Sequence, residues 1–168
     1  MLEVPNLRSL ANANYSSLEY RRPLRTPHHT ISTTAMVGGG LRLRPGEISL
    51  SHRGVLLLDE FPEFNRQSLE ALRQPLEDGV ITVARSQDQA SYPARFMLVA
   101  TANPCPCGFN GFSNSCDCTQ GVLKQYKNKL SGPIIDRLDL CCNVHIVDHD
   151  KLLGSHLPTT KHEEARQL

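Results

Sequence analysis

The most informative segment of this 168-residue chain is Gly-Val-Leu-Leu-Leu-Asp-Glu, residues 54–60. Its aliphatic run does not alternate with polar residues, which predicts a strand buried on both faces in the middle of a parallel sheet. The acids Asp59 and Glu60 follow the strand directly, and Pro62 ends the element. Because open α/β sheets bind ligands at the carboxyl ends of their strands, these acids are candidate site residues.

The order strand, Asp59, Glu60 matches the layout of a Walker-B strand. In that layout Asp59 holds the Mg²⁺ of a bound nucleotide, and Glu60 orients or deprotonates the attacking water. The alternative is an ordinary core strand that ends in two solvated acids, because a motif this short also occurs by chance.

Composition places the chain among single globular domains, with 39% hydrophobic and 21% charged residues. A formal net charge of +1 gives no overall electrostatic attraction to nucleic acid or anionic membrane. No apolar run is long enough to span a bilayer, and the N-terminus lacks the apolar core of a signal peptide. We therefore expect a cytoplasmic protein without a membrane partner.

Downstream of residue 60 the pattern predicts a crossover helix, a hairpin and a second strand. Apolar side chains recur at helical spacing over residues 65–77, and Pro75 is expected to weaken or end that helix. Residues 80–93 read as a β-hairpin. Residues 96–102 form a second apolar run that ends on Asn103, and parallel pairing would bring Asn103 to the same sheet edge as the two acids.

The other segments are predicted less specifically. Residues 21–30 read as a basic loop because they contain two prolines, and its pair His28 and His29 is more commonly a hydrogen-bonded loop element than a ligand set. A helix is expected over residues 123–130 and a short strand over residues 144–147.

Four of the six cysteines form two Cys-x-Cys pairs, which are Cys105, Cys107, Cys116 and Cys118. Thiolates from two close pairs can complete a closed tetrahedral Zn²⁺ shell, which would be structural rather than catalytic. The alternatives are two disulfides or four reduced thiols in a loop. Cys141–Cys142 is interpreted as part of the core, since adjacent strand residues point to opposite faces.

Several blocks together resemble the magnesium-chelatase-like AAA+ ATPases. They are Arg-Pro-Gly-Glu-Ile-Ser-Leu (44–50), Gly-Val-Leu-Leu-Leu-Asp-Glu (54–60), Leu-Glu-Ala-Leu-Arg-Gln-Pro-Leu-Glu-Asp-Gly (69–79), Pro-Ala-Arg-Phe-Met-Leu-Val-Ala-Thr-Ala-Asn-Pro-Cys-Pro-Cys-Gly (93–108) and Ser-Gly-Pro-Ile-Ile-Asp-Arg-Leu-Asp-Leu (131–140). The Pro-His-His-Thr loop and the Cys-Pro-Cys-Gly run resemble the ComM/YifB branch. The resemblance covers residues 22–147.

This resemblance implies an ATPase that uses ATP and Mg²⁺ and forms a ring, commonly a hexamer, with nucleotide between neighbouring subunits. Asp59 and Glu60 then match the Walker-B acids, and Asn103 matches sensor 1. Arg137 matches the arginine finger that reaches a neighbour's site. The alternative roles are local: Asn103 caps a turn before Pro104, and Arg137 forms a surface ion pair with Asp136 or Asp139.

The resemblance also implies a DNA substrate, because ComM-type proteins are implicated in branch migration during natural transformation. Residues 80–93 match the family's insertion before sensor 1, and residues 38–50 match its helix-2 insert, which tends to face the ring pore. Candidate contacts to the DNA backbone are basic, although a solvated basic face is the ordinary reading. They are Arg21, Arg22, Arg25, Arg42 and Arg44.

The chain departs from the family pattern because no Gly-x-x-x-x-Gly-Lys-Ser/Thr loop occurs in it. We therefore expect a partial AAA+ core over residues 21–147. A weakly patterned segment at 1–20 would precede it, and a polar linker toward a lid would follow at 148–168. Without the phosphate-binding loop, little ATP hydrolysis is expected from this chain alone. The alternative functions are a magnesium chelatase ATPase subunit and a non-catalytic, zinc-stabilised binding module.

Overall fold

The structure is a computed structural model that describes residues 3–12, 21–85, 88–110, 116–130, 132 and 134–144. Short 3₁₀ helices occupy Phe61–Glu63 and Ile135–Arg137. The other elements in chain order are α1 (Glu3–Ala11), β1 (Leu24–Arg25), α2 (Thr33–Val37), β2 (Gly38–Gly39), β3 (Arg44–Pro45), α3 (Glu47–Leu50), β4 (Val55–Leu58), α4 (Arg66–Glu70), α5 (Arg73–Asp78), β5 (Val80–Arg85), β6 (Asp88–Pro93), β7 (Met97–Ala100) and α6 (Gln120–Lys129).

Strand β4 is the middle strand of a three-stranded sheet with the order β1-β4-β7. Both of its neighbours run parallel to it, and Leu56 pairs with Arg25 on one side and Leu98 on the other. The predicted parallel pairing of β4 and β7 is therefore confirmed, and the fold is the α/β architecture of a partial AAA+ core. The carboxyl ends of β4 and β7 meet at one edge of the sheet.

The prediction that β4 is buried on both faces is wrong for this chain. Leu56 and Leu58 are fully buried, whereas Val55 and Leu57 on the opposite face are partly exposed. The buried face packs on α2, α3, the first 3₁₀ helix, α4 and β5 through a common apolar cluster. That cluster comprises Met36, Ile48, Leu56, Leu58, Phe61, Phe64, Leu69, Leu72, Ile81, Ala94 and Ile134.

Residues 21–30 are not only a loop, because β1 lies within them. The Val55 amide donates a hydrogen bond to the Pro23 carbonyl at 2.8 Å, which starts the pairing of β1 with β4. Gly54 permits this approach, since a Cβ there would collide with the same carbonyl oxygen. The strand is short and bounded by prolines, so its existence depends on β4 rather than on its own sequence pattern.

The single helix predicted over residues 65–77 is divided into α4 and α5. Pro75 explains the division, because it has no amide to donate and its ring crowds the carbonyl four residues earlier, at Ala71. The chain turns at Ala71–Leu72, and Pro75 then lies in the first turn of α5, where the helix does not need its amide. Pro75 therefore restarts a helix instead of ending one.

Two antiparallel hairpins stand beside the parallel sheet. The predicted hairpin is confirmed as β5 paired with β6, with Val80 opposite Pro93. Strands β2 and β3 form a second, shorter hairpin within the segment that matches the helix-2 insert. The hydroxyl of Tyr92 in β6 donates a hydrogen bond to the Leu43 carbonyl, which joins the two hairpins.

The ends of the chain differ from the sequence prediction. Helix α1 occupies part of the segment predicted as weakly patterned. Helix α6 begins three residues before the predicted start, since the hydroxyl of Thr119 accepts the Val122 amide and caps it. Cys141 and Cys142 are exposed and lie outside any strand, so their assignment to the core is wrong.

Two predictions concern residues beyond this description. Residues 145–147 of the predicted last strand and the polar segment 148–168 lie outside the described residues. Among the described residues, no helix has the length and apolar character needed to cross a bilayer.

Candidate functional site

The acids Asp59 and Glu60 lie at the carboxyl end of β4 and are both exposed. Thr101 follows the neighbouring strand β7 and connects the two acids. Its hydroxyl donates a short hydrogen bond to Oδ1 of Asp59 and accepts the backbone amide of Glu60 at 3.2 Å. An exposed carboxylate at this edge is the kind of oxygen ligand that Mg²⁺ prefers, so the residues present fit the ion. Sequence reasoning missed Thr101, although its place at the end of β7 was a usable signal.

Glu60 has a left-handed backbone, with φ of 54° and ψ of 46°. Such a conformation is costly for a residue other than glycine, and strained residues of this kind cluster at functional sites. The Glu60 amide bonds to the Thr101 hydroxyl, and the Phe61 amide donates to the Thr101 carbonyl at 2.9 Å. The end of β7 thus fixes the turn that presents the Glu60 side chain.

His29 is a partner of the Glu60 carboxylate. Its Nδ1 lies 3.1 Å from Oε2 of Glu60. The His29 ring also stacks on His28, with centroids 4.1 Å apart, and meets Phe64 edge-on. His28 itself bonds through Nδ1 to the Thr30 hydroxyl at 2.9 Å, as expected of a hydrogen-bonded loop residue. The role of His29 at the acids was not predicted, because the strand β1 that brings it there was not recognised.

Asn103 is exposed three residues beyond the end of β7. Its backbone carbonyl accepts a hydrogen bond from the hydroxyl of Tyr126 on α6 at 3.0 Å. Tyr126 is 5% exposed, and it is the buried residue of an otherwise solvated helix. Burial raises the pKa of the Tyr126 hydroxyl, and the negative charge of Glu63 raises it further. The tyrosine therefore keeps the proton that it donates to Asn103.

Arg137 lies in the second 3₁₀ helix and forms an ion pair with Glu77 of α5. Its side chain is 28% exposed. The preceding Ile134 and Ile135 pack on or against the apolar cluster and hold this turn on the domain. The expected surface partners were Asp136 and Asp139, so Glu77 is a partner that the sequence did not indicate.

The four cysteines form one compact cluster, and their sulfur atoms all lie within 4.8 Å of one another. The Sγ of Cys105 is 3.2 Å from that of Cys107 and 3.8 Å from that of Cys116. All are free thiols, and a disulfide would need a sulfur separation of about 2.0 Å. Zinc–sulfur bonds of about 2.3 Å place tetrahedral ligands at separations close to those observed. The donor set therefore fits a closed structural metal site.

The thiols of the cluster differ in acidity. Burial raises the pKa of Cys105, but the hydrogen bonds from Cys107, from the Asn110 amide and from Cys116 outweigh burial and lower it to about 6. A backbone hydrogen bond from Cys107 lowers the pKa of Cys118, but contact with the Cys107 thiol and burial raise it to about 12. Without a bound cation, the surroundings thus favour the thiolate of Cys105 and disfavour that of Cys118.

The candidate basic residues do not share one environment. Arg25 forms a bidentate ion pair with Glu47, at 2.6 Å from Nε and 2.5 Å from Nη2, and this hydrogen bonding raises its pKa. Its guanidinium is engaged within the domain. The remaining four, Arg21, Arg22, Arg42 and Arg44, are exposed.

Comparison with known proteins places this geometry in a family. The family model described as magnesium chelatase, subunit ChlI, matches residues 1–152. The chain belongs to this family. Its parallel sheet and flanking helices agree with the α/β fold expected of the magnesium-chelatase-like AAA+ proteins.

Curated relatives support the ComM/YifB branch of the family. The chain is 50% identical to YifB of Escherichia coli over 145 residues, which cover 85% of this chain and 28% of that protein. It is 44% identical to the competence protein ComM of Haemophilus influenzae over 159 residues, covering 89% of this chain and 31% of ComM. The chain thus spans less than a third of the length of these relatives.

More distant similarities are also present. The chain is 33% identical over 107 residues to the DNA replication licensing factor MCM2 of Oryza sativa, which is 63% of this chain and 10% of that protein. A crystal structure of NtrX from Brucella abortus with ADP aligns with 48% of this chain and 19% of NtrX, at 18% identity and a TM-score of 0.40.

Proposed function

We propose that this chain supplies the acidic and sensor part of an ATP-hydrolysing site in a ring-forming motor that acts on DNA. The observation that carries the proposal is the junction of Asp59, Glu60 and Thr101 where β4 and β7 end side by side. When bound, ATP would supply the phosphoryl group, and Mg²⁺ would supply the positive charge that binds the phosphates. Asp59 is the residue that would hold the ion, and Glu60 would take the proton of the attacking water.

Asn103 would complete this side of the site by positioning the water or contacting the terminal phosphate. Its place two residues beyond Thr101 supports that role. The phosphate-binding loop required for the other side is not among these 168 residues, so the chain alone is expected to hydrolyse little ATP.

The test uses a longer polypeptide that joins these residues to a phosphate-binding loop. Glu60→Gln should lower kcat by about 10²- to 10⁴-fold while nucleotide binding persists, because the amide cannot accept a proton. Glu70→Gln on α4 is the matched control and should leave kcat unchanged. Equal activity in the Glu60 variant would remove Glu60 from the reaction, and turnover by the 168-residue chain itself would overturn its expected inactivity.

Arg137 is proposed to act on the site of a neighbouring subunit, and its ion pair with Glu77 would hold it when no neighbour is present. Arg137→Ala and Glu60→Gln should each inactivate a homogeneous ring. Mixing the two variants should restore roughly a quarter of the interfaces, since one subunit gives the glutamate and the next gives the arginine. A mixture as inactive as its parts would contradict action across the interface.

The DNA substrate is inferred from relatives whose names are a competence protein and a DNA replication licensing factor. Arg42 and Arg44 on the β2–β3 hairpin are exposed and suited to phosphate contact. Removing both charges should weaken DNA binding and flatten its salt dependence by about two units of slope. Arg25, which is engaged by Glu47, is the control position. A chelatase subunit would instead show no salt-dependent DNA binding.

We also propose that Cys105, Cys107, Cys116 and Cys118 bind one structural Zn²⁺. The support is the compact packing of their four sulfur atoms, which are the donors of a closed tetrahedral Zn²⁺ shell. Purified protein should contain one zinc per chain, and Co²⁺ should replace it with the visible absorption of a tetrahedral thiolate complex. Cys116→Ser should lower the zinc content, whereas Cys141→Ser should not. A zinc ratio near zero in the unsubstituted chain would contradict the site.

A further inference from the structure

Helix α6 has little of its own to hold it on the domain. Tyr126 is its one buried residue, and most of its other side chains are exposed. A helix of this length is marginal in water without tertiary contacts. A small number of contacts with the rest of the domain must therefore hold the helix in position.

These contacts lie at both ends of α6 and at its middle. Cys118 of the cysteine cluster directly precedes the capping residue Thr119. At the other end, Lys129 lies 3.8 Å from Glu63 of the 3₁₀ helix that follows the acids, and Leu130 packs against the apolar cluster. In the middle, the Tyr126 hydroxyl reaches the Asn103 carbonyl.

The same contacts connect the cysteine cluster to the acid edge. Asn103 and Cys105 are separated only by Pro104. Cys105 is fully buried and anchors a turn, since its carbonyl accepts the Gly108 amide and its sulfur accepts the Asn110 amide. Residues 103–110 thus leave the sheet and contribute two of the cysteines, and residues 116–126 contribute the other two before Tyr126 bonds to Asn103.

We propose that Tyr126 is a positioning residue for Asn103, and that a metal ion in the four-cysteine cluster keeps Tyr126 in place by fixing the start of α6. The inference rests on the nucleotide and metal sites proposed above. It assigns the cluster a function in the ATPase site, because metal occupancy would decide how firmly the sensor residue is held.

Hydrogen exchange on the 168-residue chain tests the positioning role directly. Tyr126→Phe removes only the hydroxyl, so amides of residues 101–110 and of α6 should exchange about three- to tenfold faster, the worth of one hydrogen bond. Tyr92→Phe is the matched control, because that hydroxyl also donates to a backbone carbonyl but lies in the β5–β6 hairpin. It should leave residues 101–110 unchanged.

Removal of the metal tests whether an ion in the cysteine cluster fixes the start of α6. Chelation of a zinc-loaded chain should accelerate exchange in residues 101–110 and α6 but not in β5 and β6. If the exchange rates in α6 stay unchanged after zinc loss has been verified, the metal does not hold this helix in place, and that part of the proposal is overturned. If no zinc is present, the metal site itself fails, and the Tyr126 variant still decides the positioning role.

A kinetic measurement separates positioning from simple stability. In the longer polypeptide with a phosphate-binding loop, Tyr126→Phe should lower kcat about three- to tenfold with KM for ATP nearly unchanged, since Asn103 acts on the reacting groups. A KM effect without a kcat effect, or no effect on either, would overturn the proposal. If the unsubstituted polypeptide hydrolyses no ATP, the proposed function fails while the exchange result stands.

Discussion

At the scale of single residues, the buried imidazole of His52 is satisfied by partners far away in the sequence. His52 is 2% exposed, and both of its ring nitrogens are engaged. The Arg95 amide donates to its Nδ1 at 3.1 Å, so the proton is assigned to Nε2, which donates to Oε2 of Glu3 at 3.1 Å. This histidine therefore connects α1 to the segment that enters β7.

The Glu3 contact makes stability depend on pH. The hydrogen bond from His52 lowers the pKa of Glu3 from its ordinary value of 4.5, with burial acting in the opposite direction. The stabilisation is therefore present above that value and is lost as pH falls through the lower, folded pKa. In urea titrations, Glu3→Gln should lose less unfolding free energy than the native chain as pH falls from well above 4.5 to below it. Asp88→Asn is the control, and identical acid slopes for the native chain and Glu3→Gln would contradict the contact.

Glu60 illustrates a conflict between stability and the proposed function. Its left-handed backbone disfavours a side chain, whereas Glu63 in the adjacent 3₁₀ helix has no positive φ. Glu60→Gly should raise the unfolding free energy or leave it unchanged, relieving about 1 kcal/mol of strain. Glu63→Gly should lower it by about 0.5–1 kcal/mol, because glycine adds backbone freedom to the unfolded chain. Equal destabilisation by both changes would show that Glu60 is not strained.

At the scale of elements, one proline and one glycine set the bounds of α5. Pro75 divides the apolar stripe of residues 65–77 into α4 and α5. Gly79 then ends α5 with a left-handed φ of 68°, and the Ala94 amide donates to its carbonyl at 2.8 Å. The spacing of apolar residues correctly predicted helical structure in this segment, but it does not show where the helical hydrogen bonds are interrupted.

Two glycine substitutions measure this local control. Gly79→Ala should lower the unfolding free energy by about 1–2 kcal/mol, since alanine disfavours a left-handed backbone. Its Cβ would also lie 2.6 Å from Cγ of Arg95, a flexible side chain that can move. Gly121→Ala in α6, where the nearest atom is 4.0 Å away, should be neutral or stabilising by up to about 1 kcal/mol. Chemical denaturation of both variants provides the comparison, and a stabilising Gly79→Ala would be inconsistent with this turn.

At the scale of the whole molecule, the described residues cover one face of the central sheet. The second face carries Leu24 at 64%, Met97 at 65% and Val99 at 38% exposure. Runs of apolar residues in β4 and β7 nevertheless match strands of a sheet that is covered on both sides. The difference between the two faces is large enough to measure.

Adjacent leucines of β4 offer a matched pair. Leu56→Ala removes a fully buried side chain and should cost about 2–5 kcal/mol of unfolding free energy. Leu57→Ala makes the same chemical change on the partly exposed face and should cost clearly less, because less apolar area is buried there. Equal costs would mean that the second face is covered in solution, for example by association of two chains.

Local patterns in the amino-acid sequence were enough to predict several elements of the fold and the members of the cysteine cluster. The apolar runs identified β4 and β7, the β-rich segments identified the hairpin, and the paired cysteines identified the cluster. Strand order along the chain placed the acids and Asn103 beyond the ends of adjacent strands. These features follow from side-chain periodicity and spacing, which are properties of the chain alone.

The contacts at the acid edge depend instead on tertiary packing and could not be predicted from local pattern. Thr101 connects Asp59 and Glu60, His29 reaches Glu60, and the Tyr126 hydroxyl bonds to the Asn103 carbonyl. None of these contacts has a local signature, because each joins residues brought together by parallel pairing or by the return of α6. The one-sided burial of the sheet is likewise a property of packing, since a strand's sequence does not record what covers it.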